Sequence, residues 1–148
     1  MDTTHLLVND LEVDTALADP MVPLAVRAVW QLLWESDVRP DEVLALDVPD
    51  AELDDRLVVI RHSKEGDLFE TGITAAAASV LRELIGTRTE GPLLTVDGHR
   101  LSRAEVANAF RAATSGRTLH ALRFTRQRKE RDRARPSATA RQTEEKTA

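Results

Sequence analysis

The chain has 148 residues, of which 42% are hydrophobic and none is cysteine. These values predict one globular domain with a real core, and they exclude disulfides and cysteine-type zinc sites. The sequence pI near 5.4 argues against strong autonomous DNA binding, because domains that bind DNA on their own usually run basic. The first 20 residues are acidic and contain no Lys or Arg, so we expect no secretory signal peptide, no membrane attachment and a cytoplasmic location.

Charge is distributed unevenly along the chain. Residues 1–55 carry a balance of −12, whereas residues 56–148 carry a balance of +7. An asymmetry of this size predicts an acidic face and a basic face on the folded protein.

The first predicted elements are helical. Residues 1–19 form an acidic lead-in segment with one short helix, and apolar residues at helical spacing then predict a helix over about 22–35. Trp30 and Trp34 lie four residues apart on its flank, and we interpret them as core residues rather than as a platform on which bases stack. A second helix is predicted over about 40–46, with acidic residues at the positive end of its dipole.

The middle of the chain predicts a small antiparallel sheet. Residues 56–61 are rich in β-branched side chains and predict a strand, residues 64–67 predict a turn, and residues 68–70 predict the returning strand.

Three further helices are predicted after this sheet. Thr74 caps an alanine-rich helix that Gly86 ends. The capping box at residues 102–105 opens a helix that runs to about Ala113, and Thr118 caps a last helix.

The end of the sequence has a different composition. Residues 126–148 contain no Val, Ile, Leu, Met, Phe or Trp, so they have nothing to bury and are predicted to form a disordered basic and polar tail. Arg126, Arg128 and Lys129 at its start are candidates for nonspecific contacts with phosphate. A solvated tail without a partner is the alternative.

Four residues are candidates for phosphate chemistry. His120 and Arg123 are three apart on a predicted helix and share one face, where Arg offers a planar fork of donors and His can donate a proton near neutral pH. Arg39 lies at a junction between two helices, and Lys64 lies in the predicted turn. Each also has an alternative, purely structural explanation. His120 and Arg123 could be a surface or interhelical pair, Arg39 could form a buried ion pair with Glu42, and Lys64 could be a solvated lysine in a turn.

Four motifs follow one another along the chain: Ser36-Asp-Val-Arg39-Pro-Asp-Glu42-Val-Leu-Ala-Leu46, Lys64 in its turn, Gly91-Pro-Leu-Leu94, and Leu119-His120-Ala-Leu-Arg123-Phe124-Thr125. Together they resemble the catalytic domain of the tyrosine recombinase (phage integrase) family. The segment Phe69-Glu-Thr-Gly72 and the alanine-rich helix after it are similar to the actinobacterial type of that family. The first motif is similar to the family pattern Thr-Gly-Leu-Arg-x-x-Glu-Leu-Leu-x-Leu. The last resembles Leu-His-x-Leu-Arg-His-(Thr/Ser), with Phe124 where His is usual. The resemblance covers about residues 20–125.

The resemblance implies an α+β, mostly α fold: a truncated catalytic core over residues 20–125 with a small three-stranded antiparallel sheet. It implies that Arg39 and Arg123 clamp the scissile phosphate, that Lys64 protonates the leaving 5′ oxygen, and that His120 supports acid–base chemistry. Arg39, Arg123 and the basic start of the tail would contact DNA. No cofactor and no metal are implied.

The main departure from the family concerns the nucleophile. In the family, a Leu-Gly-His segment and the reactive tyrosine follow the His-x-x-Arg motif. This sequence has no Tyr, and without it no covalent phosphotyrosine link can form. The change of composition after Phe124 is typical of a frameshifted remnant, with a retained regulatory fragment as the alternative.

Three functions remain open at this point. The first is an integrase-like DNA-binding domain related to recombination and integration, catalytically inactive and weak in its binding. The second is a protein–protein module that associates with a full-length recombinase or with itself, through an apolar face at Leu119 and Leu122 that missing helices leave uncovered. The third is a recombinase completed in trans by a partner's tyrosine.

Overall fold

Six α-helices, two single-turn 3-10 helices (Val48–Asp50 and Leu53–Asp55) and two small sheets make up the described part of the chain. The computed structural model describes residues 7–61, 63 and 66–131. The helices are α1 (Asp10–Leu17), α2 (Leu24–Glu35), α3 (Pro40–Leu44), α4 (Ala75–Ile85), α5 (Arg103–Ala113) and α6 (119–131). The strands are β1 (Ala51–Glu52), β2 (Leu57–Ile60), β3 (Phe69–Gly72), β4 (Thr95–Val96) and β5 (His99–Arg100). Among the described residues, none of these helices has the length and apolar character that a membrane crossing needs.

The larger sheet is antiparallel, with the strand order β1-β2-β3. Its register places Leu57 opposite Gly72 and Ile60 opposite Phe69. Val58, Val59 and Ile60 of the central strand β2 are buried, and Val58 and Ile60 belong to the hydrophobic core. The predicted fold class, mostly helical α+β with a three-stranded antiparallel sheet, is therefore confirmed.

Helix α2 lies at the centre of the core. Val29, Trp30 and Leu33 are fully buried, and the helix contacts α1, α3, α4 and α5. The Trp30 indole N–H donates to the Val106 carbonyl oxygen at 3.2 Å, and its ring meets the Phe110 ring edge-on with centroids 5.3 Å apart. Trp30 is thus a core residue, as predicted, and its one polar atom is satisfied.

Local capping sets the ends of α4 and α5. Thr74 Oγ1 accepts a hydrogen bond from the Ala77 N–H at 3.0 Å, and Gly86 ends α4 with a φ of 57°. At the start of α5, Ser102 and Glu105 form both hydrogen bonds of a capping box, at 3.0 and 3.1 Å. The Ser102 backbone N–H, helped by the Ser102 side chain, holds the pKa of Glu105 below its usual value.

The acidic segment before α2 belongs to the core. A capping box between Asn9 and Glu12 opens α1, and Val13 and Ala16 are buried against the rest of the protein. The described part of the predicted lead-in segment is therefore packed through Val8, Val13 and Ala16, whereas Leu11 is exposed.

Helix α6 buries the apolar face that the sequence analysis expected to be uncovered. Leu119 is 4% exposed and Leu122 is fully buried, so that expectation is wrong for these residues. The face packs into the core of the same chain, and the N-terminal segment adds to its cover. Large apolar side chains that are exposed among the described residues are limited to Leu11, Met21 and Leu68.

The same helix continues beyond the predicted start of the tail. Residues 126–131 are helical, although they contain no large apolar side chain. An i,i+4 ion pair joins Arg126 to Glu130 at 2.8 Å, and the Lys129 ammonium lies 4.6 Å from the centroid of the half-buried Trp34 ring. These contacts hold the segment in place without a large apolar side chain. Residues 132–148 of the predicted tail lie outside the described residues.

A single buried hydrogen bond joins the N-terminal segment to α6, and its removal tests this packing. The Thr125 hydroxyl, in a residue 5% exposed, accepts the Val8 backbone N–H at 3.0 Å. Thr125→Val keeps the shape but leaves that N–H unsatisfied, so we expect it to lower the free energy of unfolding by about 1–3 kcal/mol. Urea unfolding followed by Trp fluorescence measures the change. Thr125→Ser keeps the acceptor and serves as the control; equal unfolding midpoints for Thr125→Val and wild type would contradict the assignment.

Candidate functional site

A cavity of about 510 Å³ opens where the end of α2, the start of α3, the start of α5 and the start of α6 meet. Four basic side chains from three separate parts of the chain line it, namely Arg39, Arg103, His120 and Arg123. The structure thus brings together three of the four residues that the sequence analysis singled out. It adds Arg103 to them.

Arg39 is placed by the linker between α2 and α3. Ser36 ends α2 and donates its hydroxyl to the Gly72 carbonyl at 3.4 Å, and Val38 is buried. The Arg39 backbone N–H donates to Oε1 of the buried Glu42 at 2.8 Å. The linker is therefore fixed on both sides of Arg39, and the half-buried Arg39 side chain is held at the cavity wall.

His120 and Arg123 reach the cavity from the first turns of α6. They share one face, as their spacing predicts, and the neighbouring Leu119 and Leu122 are buried in the core, with Leu119 also lining the cavity. His120 is exposed, and the Arg123 side chain is 21% exposed. The Arg123 Nε is buried and has no hydrogen-bond partner among the described residues.

Lys64 lies outside the described residues. In the sequence it falls between β2 and β3, in the predicted turn. Its place relative to the cavity is therefore part of the proposal below and not of the observed site.

Two residues of the site were not predicted. Arg103 begins α5 and lies 3.5 Å from Asp41, measured from Nη1 to Oδ2. Asp37 lies at the edge of the site, with its Oδ1 3.4 Å from Arg123 Nη2 and 3.9 Å from Arg126 Nη1. These contacts span 62 and 86 residues of sequence, and no local pattern indicates them.

The predicted DNA-contacting residues at the start of the tail form a neighbouring group. Arg126 and Lys129 line a smaller hollow of about 280 Å³ beside Trp34. Lys129 also forms an ion pair with Asp10. Arg128 is exposed and makes no ion pair within the part of the chain that the structure describes. Because Asp37 contacts both Arg123 and Arg126, it lies between this group and the cavity.

Other arginines are used by the fold itself. Arg88 donates to three backbone carbonyls at 2.7 to 3.2 Å. Arg100 donates to two carbonyls at 2.9 and 3.1 Å and to Asp47 Oδ1 at 2.6 Å. Both side chains tie loops to the core, so the basic residues of the chain are not interchangeable as phosphate ligands.

The chemistry of the cavity suits an oxyanion. Its three guanidinium groups present planar forks of donors that match phosphate or carboxylate oxygens, and they stay charged at any physiological pH. Asp41 and Glu42 also line it, so its charge is positive but moderated. No group of three or more His, Asp or Glu residues lies in a metal-binding arrangement within the described ranges.

Comparison with known proteins gives a structural match and no sequence match. No protein-family model and no curated protein matches the chain. Among the solved structures that match is the crystal structure of XerA recombinase, with a TM-score of 0.70 at 16% sequence identity. The match covers 85% of this chain and 50% of that chain, so this chain spans half the length of the solved recombinase chain. At this identity the likeness concerns the fold: the chain is folded like part of a tyrosine recombinase.

Proposed function

We propose that the chain binds the phosphate backbone of DNA through this cavity, weakly and without sequence preference, and that it does not cleave the strand by itself. The observation that carries the proposal is the convergence of Arg39, Arg103 and Arg123 with His120 on one cavity of a recombinase-like fold.

The proposed roles follow from position and charge. Arg39 and Arg123 clamp one phosphate between the α2–α3 linker and α6, and His120 contacts the same phosphate from the exposed side of α6. Lys64 is proposed to approach from the turn between β2 and β3. Arg126, Arg128 and Lys129 then contact neighbouring phosphates along the strand in a sequence-independent way.

The expected affinity is low. Nonspecific contacts with DNA phosphates typically give a dissociation constant of roughly 10⁻⁴ to 10⁻⁶ M at physiological salt. Asp41 lines the cavity and lies 3.5 Å from Arg103, so it competes with phosphate and favours the weak end of this range.

The absence of cleavage follows from the missing nucleophile. The sequence contains no tyrosine, and no side chain that lines the described cavity carries a hydroxyl. The arginines can hold a phosphate and stabilise charge on its oxygens, but strand cleavage also needs a group that attacks phosphorus. A partner that supplies a tyrosine in trans would be required. Association with another protein through Leu119 and Leu122 is not supported, because both are buried.

Neutralising a cavity arginine tests the binding mode. Arg39→Gln and Arg123→Gln should each weaken binding to a short labelled duplex about threefold to tenfold. Each should also make the slope of log affinity against log salt concentration shallower by about 1, the value expected for one lost phosphate contact. Fluorescence anisotropy at several salt concentrations measures both quantities, after unfolding curves have shown that the variants are folded.

The matched control is Arg82→Gln, which removes an arginine from α4 that pairs with Asp54 at 2.7 Å, away from the cavity. It should change affinity less than about twofold. The proposal is wrong if the three variants lose affinity equally, or if wild-type binding does not depend on salt.

A further prediction concerns DNA cleavage. The purified chain should leave supercoiled plasmid intact and form no covalent adduct with a nicked duplex, because it has no tyrosine to make the link. Denaturing gels of protein mixed with labelled suicide substrate measure adducts. Adduct from the chain alone, removed by Arg123→Gln, would contradict this part of the proposal.

A further inference from the structure

The proposed function leaves one charged group at the edge of the cavity without a role. Asp37 follows Ser36 at the end of α2, and it contacts Arg123 and Arg126 through the same oxygen, Oδ1, at 3.4 and 3.9 Å. Both arginine side chains are largely buried, at 21% and 18% exposed, whereas the Asp37 side chain is 60% exposed. The carboxylate is therefore the more solvent-exposed partner, with room to turn outward.

We propose that Asp37 is an internal competitor that occupies Arg123 and Arg126 and sets the affinity of the cavity for phosphate. This inference rests on the proposed function, because it names the residue that regulates the same site. A phosphate that approaches Arg123 meets the like charge of Asp37, so it binds well only when the carboxylate turns outward.

The backbone of Asp37 is held while its side chain is not. Ser36 before it is buried and bonded to the Gly72 carbonyl, and Val38 after it is 1% exposed. The exposed side chain can therefore rotate towards solvent without disturbing α2 or α3. An exposed ion pair of this kind is weak enough for an incoming anion to displace.

The Asp37 carboxylate does not satisfy every N–H group of the two arginines. The N–H groups at Arg123 Nε and Arg126 Nη1 are buried and donate to no acceptor among the described residues. A buried N–H without an acceptor is unfavourable, so an oxyanion that replaces Asp37 beside these arginines can supply a hydrogen bond that Asp37 leaves unmade.

The experiment compares two substitutions that remove the same charge. Asp37→Asn should tighten binding to a short labelled duplex about fivefold, because it removes a like charge beside the phosphate. Asp54→Asn is the matched control: it removes an exposed carboxylate that also pairs with an arginine, Arg82, at 2.7 Å. It should change affinity less than about twofold.

Each substitution is then repeated in the Arg123→Gln background. The proposal expects the gain from Asp37→Asn to be clearly smaller there, because Asp37 then has only Arg126 left to occupy. A gain that persists unchanged shows a general charge effect and overturns the proposal. Equal affinities of Asp37→Asn and Asp54→Asn also overturn it, while the proposed function stands if Arg123→Gln still weakens binding.

A separate measurement tests the role of Asp37 even if the chain does not bind DNA. If no variant binds duplex, inorganic phosphate is titrated against the Arg123 Nε–Hε NMR signal of the wild type and of Asp37→Asn. The competitor role expects the variant to respond at about fivefold lower phosphate concentration. Identical titration curves, or no response in either protein, would rule the role out.

Discussion

The burial of α2 is the constraint on which the rest of the structure depends. Seven of its twelve residues are buried, and each fully buried large apolar side chain contributes about 1.5–3 kcal/mol to the free energy of unfolding. A helix this apolar must be covered on most sides, and α1, α3, α4 and α5 all pack on it. Because its C-terminal end is fixed, the linker that carries Asp37 and Arg39 is fixed too. The cavity forms where that linker meets α6, whose own position is set by the burial of Leu119 and Leu122.

Charge pairing determines how much of the basic surface remains available. Within the described residues, eight ion pairs join a carboxylate from residues 1–55 to a base later in the chain. Exposed pairs contribute only about 0.2–1 kcal/mol each to stability, so their larger effect is on binding. In the proposed function, DNA competes with the protein's own carboxylates for Arg103, Arg123 and Arg126. The ion pairs show how a chain with a pI near 5.4 can contain a cavity lined by three arginines: acidic residues elsewhere in the chain lie against several of its basic ones.

Much of the fold could be predicted from local signals, and the missed parts share a physical reason. The Thr74 cap, the Ser102 capping box and the β-branched run of β2 are local, so the sequence indicates them directly. The β4–β5 hairpin was missed although Asp97-Gly98, with φ values of 53° and 82°, is a recognisable turn signal. The packing of α1 and the extension of α6 depend on partners more than 100 residues away, such as Thr125 for Val8 and Asp10 for Lys129. In the site, His120 and Arg123 are linked by helical spacing, and Arg39 was connected to them only through the family resemblance. Arg103 and Asp37 reach the cavity through tertiary contacts alone, which no spacing rule reveals.

The central claim is that one cavity, assembled from three segments, receives a phosphate. The most direct measurement is an NMR titration of ¹⁵N-labelled protein with a short duplex at low salt, following the arginine Nε–Hε signals and the His120 ring. The account predicts that the signals of Arg39, Arg103, His120 and Arg123 shift together along one binding curve, while the Arg82 signal on α4 stays in place. Shifts confined to Arg82 and other surface arginines, with the cavity signals unchanged at saturation, would contradict it.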